Sequence, residues 1–264
     1  MTVLKATHLG PTLYREGLRI QEALVSALAA GRGDGEEREW LLYPDHPPVL
    51  TVGRSPSEGN LKVPRERLAE RGIEVFEVAR GGDITWHGPG QLVGYTICDL
   101  DRFGHDLHRF LRELEQALLD ALAGWGIEGR RVPGRTGIWV GDDKIASIGV
   151  AVRRWVTYHG FALNVCPDLS GFDLIHPCGL HGIRMATLAG LLGEKAPSLD
   201  AARRATAETV ARRLGYAHAA WETAPVAWNA AGVAVARDAG EAVEHLRSHE
   251  ENPVAGADVR STAA

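Results

Sequence analysis

Cys178 is the residue of this sequence best suited to nucleophilic chemistry. It stands between Pro177 and Gly179, so it must lie in a turn or loop, where a thiol can be accessible. An unperturbed thiol has a pKa of about 8.5 and is only slightly ionised at neutral pH, so a working nucleophile needs a nearby cation or base. A packed loop cysteine without chemistry is an equally open alternative. Cys98 and Cys166 lie in apolar, strand-like stretches, and we expect both to be inert buried thiols.

Lys144 opens an apolar strand and is the best candidate for that cation. Alternation along residues 144–152 puts it on the same face as Ile148 and Val150. A lysine at such an edge either extends to water or is held partly desolvated beside a site. Ser147 points to the opposite face, so a serine–lysine pair on one regular strand is not expected. Lys144 must serve a group from elsewhere, and Cys178 is the best candidate.

A glycine-rich stretch at residues 80–91 carries Arg, Asp, Thr, Trp, His and Gln among five glycines or prolines. This composition predicts neither a helix nor the interior of a regular strand. It is typical of a ligand-binding loop, because glycine lets backbone N–H groups approach a ligand closely. The Lys-Ser/Thr ending of a phosphate-binding P-loop is missing, and so is the dinucleotide fingerprint. An ordinary surface loop is the alternative.

Small residues interrupt strand-like segments that are otherwise rich in Val, Ile, Leu and Phe. These residues are Ser147, Gly149, Gly160 and Ala162. Glycine inside a strand often marks the close approach of a ligand or of another backbone. A narrow apolar groove for an acyl chain would need such gaps, and a β-bulge or tight sheet packing would explain them equally well.

Composition is that of a soluble globular protein, with 45% hydrophobic and 24% charged residues in a chain of 264. The net charge of −5, without a long basic stripe, does not favour a nucleic-acid partner. No stretch is apolar for long enough to span a membrane, and the first residues do not resemble a secretory signal. Three cysteines cannot all pair with one another, so we expect free thiols in a reducing cytoplasm. The histidines show no spacing typical of a metal site, and we expect no metal.

The periodicity predicts a single α/β or α+β domain, because strands and helices mix without strict alternation. Helices are predicted near 12–30, 64–72, 106–124, 187–192 and 198–214, with Asp106 and Ser198 as N-caps. Strands are predicted at 39–43, 49–52, 73–78, 91–98, 136–140, 144–152 and 158–165, with a hairpin at residues 141–143. We assign residues 1–225 to the catalytic domain and 226–264 to a poorly ordered tail with, at most, a short helix near 239–248.

Four motifs together resemble the lipoyl(octanoyl) transferase family. They are Arg80-Gly81-Gly82-x-x-Thr85-Trp86-His87-x-x-Gly90-Gln91-x-Val93-x-Tyr95, Lys144-Ile145-Ala146-Ser147-Ile148-Gly149, His159-Gly160-Phe161-Ala162-Leu163-Asn164, and Phe172-x-x-Ile175-x-Pro177-Cys178-Gly179. Each motif is weak alone, but the four keep their order and spacing within about residues 10–220. The resemblance says nothing about the chain beyond about residue 225.

The resemblance implies a mixed β-sheet flanked by helices, similar to the catalytic domain of biotin and lipoate protein ligases. It implies a catalytic pair, Cys178 and Lys144, and no cofactor. The residues implied in substrate binding are Arg80, Gly81, Gly82, Asp83, Ile84, Thr85, Trp86, His87, Ser147, Ile148, Gly149, Gly160, Phe161 and Ala162. The implied donor is octanoyl-acyl carrier protein, and the implied acceptors are lipoyl domains of 2-oxoacid dehydrogenase E2 subunits and glycine cleavage H protein.

Two other classes stay open at this stage. An ATP-dependent lipoate or biotin ligase on the same fold would need no nucleophilic cysteine, and a carrier-binding protein would form no covalent adduct. Because a carrier protein is expected to be acidic, two arginine clusters are candidate docking charges, with plain solvated arginines as the alternative. These clusters are Arg130, Arg131 and Arg135, and Arg153 and Arg154.

Overall fold

The computed structural model describes residues 2–32, 39–55, 59–177 and 182–222, and the backbone of two further short strands. Thirteen strands are assigned in this part of the chain. They are β1 (Leu4–Pro11), β2 (Trp40–Asp45), β3 (Val49–Val52), β4 (Glu74–Glu77), β5 (Ile84–His87), β6 (Gln91–Ile97), β7 (Arg130–Val132), β8 (Arg135–Val140), β9 (Asp143–Arg153), β10 (Val156–Asn164), β11 (Ala219–Trp221), β12 (Val226–Trp228) and β13 (Ala234–Ala236). The α-helices are α1 (Tyr14–Ala30), α2 (Arg65–Glu70), α3 (Leu107–Gly124), α4 (Leu188–Leu192) and α5 (Leu199–Arg213).

A large mixed sheet of eight strands forms the centre of the molecule, in the order β11-β1-β2-β6-β10-β9-β8-β7. β1 runs parallel to both β2 and β11, and the other neighbours are antiparallel. Helices α3 and α5 cover one face over the larger core, and α1 packs on β6 and β10 on the other face. The expected mixed sheet flanked by helices is therefore confirmed.

A second sheet of three strands, β4-β3-β5, has a small core of its own. It brings the glycine-rich loop to the large sheet, where the backbone N–H of Gly81 donates to the carbonyl of Val150 at 3.0 Å. Asn60 and Leu61, which follow β3, bind the segment that precedes Cys178. The second sheet thus holds the glycine-rich loop against β9 and also binds the segment that precedes Cys178.

The helices begin where the sequence predicts them to begin. The Asp106 side chain accepts from the backbone N–H of Arg109 at 3.0 Å, and Ser198 accepts from that of Ala201 at 3.2 Å. Such N-caps satisfy amides that the first turn leaves without a helical partner. The hairpin of β8 and β9 forms around Gly141 as expected.

Several local predictions were wrong or incomplete. Residues 84–87 form strand β5 inside the stretch expected to be a loop, because pairing with β3 outweighs the flanking glycines. Cys98 is buried as expected, but Cys166 is exposed because β10 ends two residues before it. Strands β1, β7 and β11 were not predicted. Beyond residue 222, β12 and β13 pair with each other, and the helix suggested near 239–248 lies outside the described residues.

Candidate active site

Lys144 is buried at the start of β9, with only 2% of its surface exposed. Its Nζ lies 5.8 Å from the centre of the Trp139 ring, directly across the β8–β9 ladder. Burial excludes the alternative in which the side chain extends to water. A lysine kept from water beside an aromatic ring is held in one place, which is what proton transfer to a neighbouring group requires.

Gly137 makes room for Lys144 and was not identified from the sequence. A Cβ atom at this position would lie 2.7 Å from Lys144 Cε and 2.5 Å from the carbonyl oxygen of Ala146. Its φ of +126° also lies in a region that favours glycine. The sequence did contain an indication of its role, because Gly137 lies inside a predicted strand in the same way as Gly149 and Gly160.

Cys178 itself, with residues 179–181, lies outside the described residues, but both flanks of this segment are described. On the preceding flank, the N–H of His176 donates to the carbonyl of Asn60 at 2.8 Å. On the following flank, Lys144 donates its backbone N–H to Arg184 at 2.9 Å and accepts from Ala186 at 2.9 Å. The backbone that returns from Cys178 is therefore hydrogen-bonded to the backbone of Lys144.

Asn60 connects the glycine-rich loop to the cysteine segment. Its side-chain amide donates to the carboxylate of Asp83, while its carbonyl accepts from His176. Asp83 also accepts from the N–H of Ile84 at 2.7 Å, so its carboxylate is used within the fold. Sequence reasoning missed Asn60, because its partners lie 23 and 116 residues away along the chain.

A narrow pocket lies where the glycine-rich loop meets the middle of β9 and β10. Twelve of the fourteen predicted binding residues line it: Arg80, Gly81, Gly82, Asp83, Thr85, His87, Ser147, Ile148, Gly149, Gly160, Phe161 and Ala162. The space that the centre of a water-sized sphere can occupy inside it is about 50 Å³. Alternation along β5 turns Ile84 and Trp86 the other way, into the core of the small sheet, so they do not line this pocket.

The mouth of the narrow pocket is fixed by close packing between the loop and the sheet. Arg80 donates from Nη2 to the carbonyl of Thr51 at 2.6 Å and from Nη1 to that of Gly81 at 3.1 Å. A Cβ on Gly149 would lie 2.9 Å from the Gly81 carbonyl oxygen. A Cβ on Gly160 would instead meet the Gly94 carbonyl oxygen at 2.2 Å, so tight sheet packing explains this glycine.

Neutral histidines surround the inner part of the narrow pocket. Burial lowers the pKa of His87 to about 3, helped by nearby His46, and burial beside Arg80 lowers that of His159 to about 3. His87 Nδ1 donates to the side-chain oxygen of Gln91 at 2.7 Å, and the Gln91 amide donates to Asn164 at 2.9 Å. His87 therefore keeps its proton on Nδ1 and leaves Nε2 as an acceptor.

Thr85 adds a further polar group to the lining of the narrow pocket. Its buried hydroxyl has no hydrogen-bond partner among the described residues. A buried hydroxyl without a partner is unusual in proteins, so this group is suited to contact a bound molecule.

A second, wider cavity, which we call the lysine groove, opens beside the narrow pocket. Its volume is about 310 Å³, and Lys144, Arg135 and Thr136 line it together with Leu107 and Leu111 of α3. The two cavities share five lining residues: Gly81, Gly82, Asp83, Ile148 and Gly149. Lys144 lines the groove only. A ligand that bridges the two cavities would therefore have its central atoms near the glycine-rich loop and its outer part beside Lys144.

Comparison with known proteins identifies the family. Residues 13–211 match the family described as the lipoyl protein ligase A/B catalytic domain. The sequence is 52% identical over 186 residues to a protein of Geobacter sulfurreducens named octanoyltransferase, covering 70% of this chain and 74% of the relative. A protein of the same name from Acidobacterium capsulatum is 42% identical over 81% of this chain and 91% of its own length. The chain belongs to the lipoyl protein ligase A/B catalytic domain family.

Solved structures of two lipoate protein ligases have a similar fold. A lipoate-protein ligase A bound with ATP superposes with a TM-score of 0.64 at 19% identity, covering 84% of this chain and 90% of the ligase. A structure of a bi-partite lipoate protein ligase and its E2 lipoyl domain from Thermoplasma acidophilum gives 0.62 at 16% identity, covering 84% and 88%. These identities are low enough that the similarity shows the fold alone.

Three further observations concern metal ions, membrane helices and the arginine clusters. Among the described residues, no group of three or more His, Cys, Asp or Glu side chains is arranged to hold a metal ion. The helices in that part of the chain are also too short or too polar to cross a membrane.

Arg153 lies nine residues from Lys144 along β9, a distance of about 30 Å in an extended strand. The Arg153–Arg154 cluster is thus far from Lys144, whereas Arg135 lies with Lys144 in the lysine groove.

Proposed function

We propose that this protein is an octanoyltransferase that carries the acyl group on Cys178 during transfer. The observation that carries the proposal is the buried Lys144 beside the narrow pocket, with its backbone hydrogen-bonded to the segment that returns from Cys178. A cation next to a thiol favours the thiolate, which is the nucleophilic form. The relatives named octanoyltransferase support the same reaction.

The first half of the reaction forms an acyl-enzyme. The Cys178 thiolate attacks the carbonyl carbon of a thioester donor, a new carbon–sulfur bond forms, and the donor's carbon–sulfur bond breaks. The leaving thiolate takes up the proton that Lys144 received from the Cys178 thiol, and Lys144 is left as a neutral amine. One thioester replaces another, so this half requires no external energy source and no ATP.

The second half transfers the acyl group to a lysine of the acceptor. The unprotonated amine attacks the acyl-enzyme carbonyl, the bond to Cys178 breaks, and an amide replaces the thioester. Lys144 accepts the proton that the amine loses. Because an amide is more stable than a thioester, this half drives the overall transfer forward.

We propose that the narrow pocket holds the eight-carbon chain. Its lining combines glycine backbone at the mouth with Val93, Phe161 and Ala162 further along β6 and β10. The pocket is narrow enough that an extended unbranched chain is the ligand shape it favours over a ring or branched group. The proposed donor is octanoyl-acyl carrier protein. The proposed acceptors are lipoyl domains of E2 subunits and glycine cleavage H protein, and the proposed location is the cytoplasm.

The proposal is tested by intact-mass spectrometry after mixing the protein with octanoyl-acyl carrier protein. The expected result is one added octanoyl group that chases onto a lipoyl domain and is absent in Cys178→Ala. Cys166→Ser is the matched control, because Cys166 is an exposed thiol that should not carry the acyl group. If Cys178→Ser instead joined octanoate to the acceptor with ATP at the wild-type rate, the protein would be a ligase.

A further inference from the structure

We propose that the lysine groove binds the pantetheine-type arm of the thioester donor. This inference rests on the proposed function and adds a binding site for the leaving group. The acyl pocket and the groove meet at the glycine-rich loop, so a thioester at that junction would have its acyl chain in one and its thiol arm in the other. Lys144 then lies on the side of the departing sulfur, where a proton must be delivered.

The lining of the lysine groove matches an arm of amide groups separated by short apolar segments. One wall is apolar and consists of half-buried Leu107 and Leu111 with Val150. The other offers Arg135, whose guanidinium N–H groups can donate to amide and hydroxyl oxygens, and Thr136, whose hydroxyl can donate or accept. A purely apolar ligand would leave the polar groups of the second wall without hydrogen bonds. A free phosphate would make no contact with the apolar first wall.

The position of Arg135 fits the middle of such an arm. Arg135 and Lys144 each place their cationic group 5.8 Å from the centre of the Trp139 ring, so they are at most twice that distance apart. Arg135 forms no ion pair with a carboxylate among the described residues. Its charge is therefore available to a ligand that passes Lys144 and leaves the groove.

The surface beside the groove carries a surplus of positive charge. Arg112 and Arg131 share the buried carboxylate of Glu115, and Arg130 pairs with Asp142. Together with Arg135, four arginines have two carboxylate partners in the described residues. The phosphodiester at the far end of the arm, and an acidic carrier behind it, would meet this basic surface, which complements them in charge.

The test compares two donors that deliver the same acyl group. One is octanoyl-acyl carrier protein, and the other is octanoyl ethyl thioester, whose leaving group is too short to reach Leu111. The measured quantity is the ratio of the two rates of Cys178 acylation, followed by intact mass. Leu111→Trp and Leu107→Trp fill the groove, and each should lower the carrier-to-ethyl ratio by at least tenfold. Arg135→Glu should lower it by a smaller factor and weaken its dependence on salt.

The control is Leu191→Trp, because Leu191 is an exposed leucine on α4 that lines none of these cavities. It should keep the wild-type ratio. A wild-type ratio in the folded groove variants would overturn the inference, and so would an equal loss with both donors. If Leu111→Trp does not fold, Leu107→Trp at the start of α3 carries the same test. Failure of octanoyl-acyl carrier protein to acylate wild-type Cys178 would instead overturn the proposed function.

Discussion

The narrow pocket and the lysine groove share one edge but differ in size and in the way they are built. The narrow pocket, with an open volume of about 50 Å³, lies between two sheets whose glycines leave no space for side chains at its mouth. The lysine groove, of about 310 Å³, lies between a helix and a hairpin and is lined by the cationic side chains of Arg135 and Lys144. A site that selects its ligand by shape needs close-packed walls, as in the narrow pocket. A site that admits one partner after another needs a wider opening, as in the lysine groove. Under the proposed function, this difference assigns selection of the acyl chain to the narrow pocket and access of its carriers to the lysine groove.

The largest expected effect comes from removing the Lys144 amine, the proposed proton-transfer group of the lysine groove. Lys144→Met keeps an apolar stem of similar length but cannot transfer a proton. Acyl transfer in a single turnover should fall by about 100- to 10,000-fold, the usual contribution of a general acid or base. Lys195→Met replaces an exposed lysine and is the control. Activity within a factor of two of wild type in Lys144→Met would contradict the role given to this lysine.

A second substitution moves Lys144 without changing its chemistry. Gly137→Ala places a methyl group against Lys144 Cε and the Ala146 carbonyl at a backbone angle that disfavours alanine. Strain of this kind costs on the order of 1–3 kcal/mol, so the thermal midpoint should fall together with the transfer rate. Gly124→Ala is the matched control, since no atom lies within 4 Å of its added methyl group. Equal melting temperatures and rates for the two variants would show that Gly137 has no such role.

A third substitution tests whether the narrow pocket selects the length of the acyl chain. Ala162→Val adds two methyl groups to a residue that lines only this pocket. The ratio of transfer rates for eight-carbon and six-carbon thioesters should fall by about tenfold, a usual effect of one or two carbons in a tight apolar site. Ala201→Val on α5 is the control. A loss of activity that is equal for both chain lengths would mean that the chain binds elsewhere.

A further expected effect is on stability in weak acid and does not depend on the transfer reaction. Burial lowers the pKa of His46 to about 4 and those of His87 and His159 to about 3, whereas unfolded histidine titrates near about 6.5. Below that pH the unfolded chain binds more protons, so the free energy of unfolding should decrease by up to about 1.4 kcal/mol per pH unit for each histidine. Urea unfolding between pH 7 and 5.5 measures the slope. His87→Gln should reduce it, and a flat profile would show that these rings bind protons as readily in the folded protein as in the unfolded chain.

Much of the fold could be predicted because its periodic elements are long. α3 and the β8–β10 meander carry their patterns in consecutive residues, and Asp106 marks a helix start locally. Strand β5 was missed because glycines flank it, and only pairing with β3 makes it a strand. In the site, the regular alternation assumed for β9 is broken beside Lys144. Lys144 pairs with Trp139 while Ala146 pairs with the neighbouring Ile138, so β9 has one extra residue here and the predicted shared face of Lys144 with Ile148 and Val150 was wrong. Asn60 was out of reach of sequence reasoning, because its importance depends on contacts with distant parts of the chain.

The central claim is that Lys144 favours the ionised form of the Cys178 thiol. The direct measurement is the pH dependence of Cys178 alkylation, followed by mass spectrometry in a Cys166→Ser background that removes the exposed second thiol. The account predicts a midpoint below the ordinary thiol value of about 8.5 and an upward shift of that midpoint in Lys144→Met. The same midpoint with and without the lysine would contradict it.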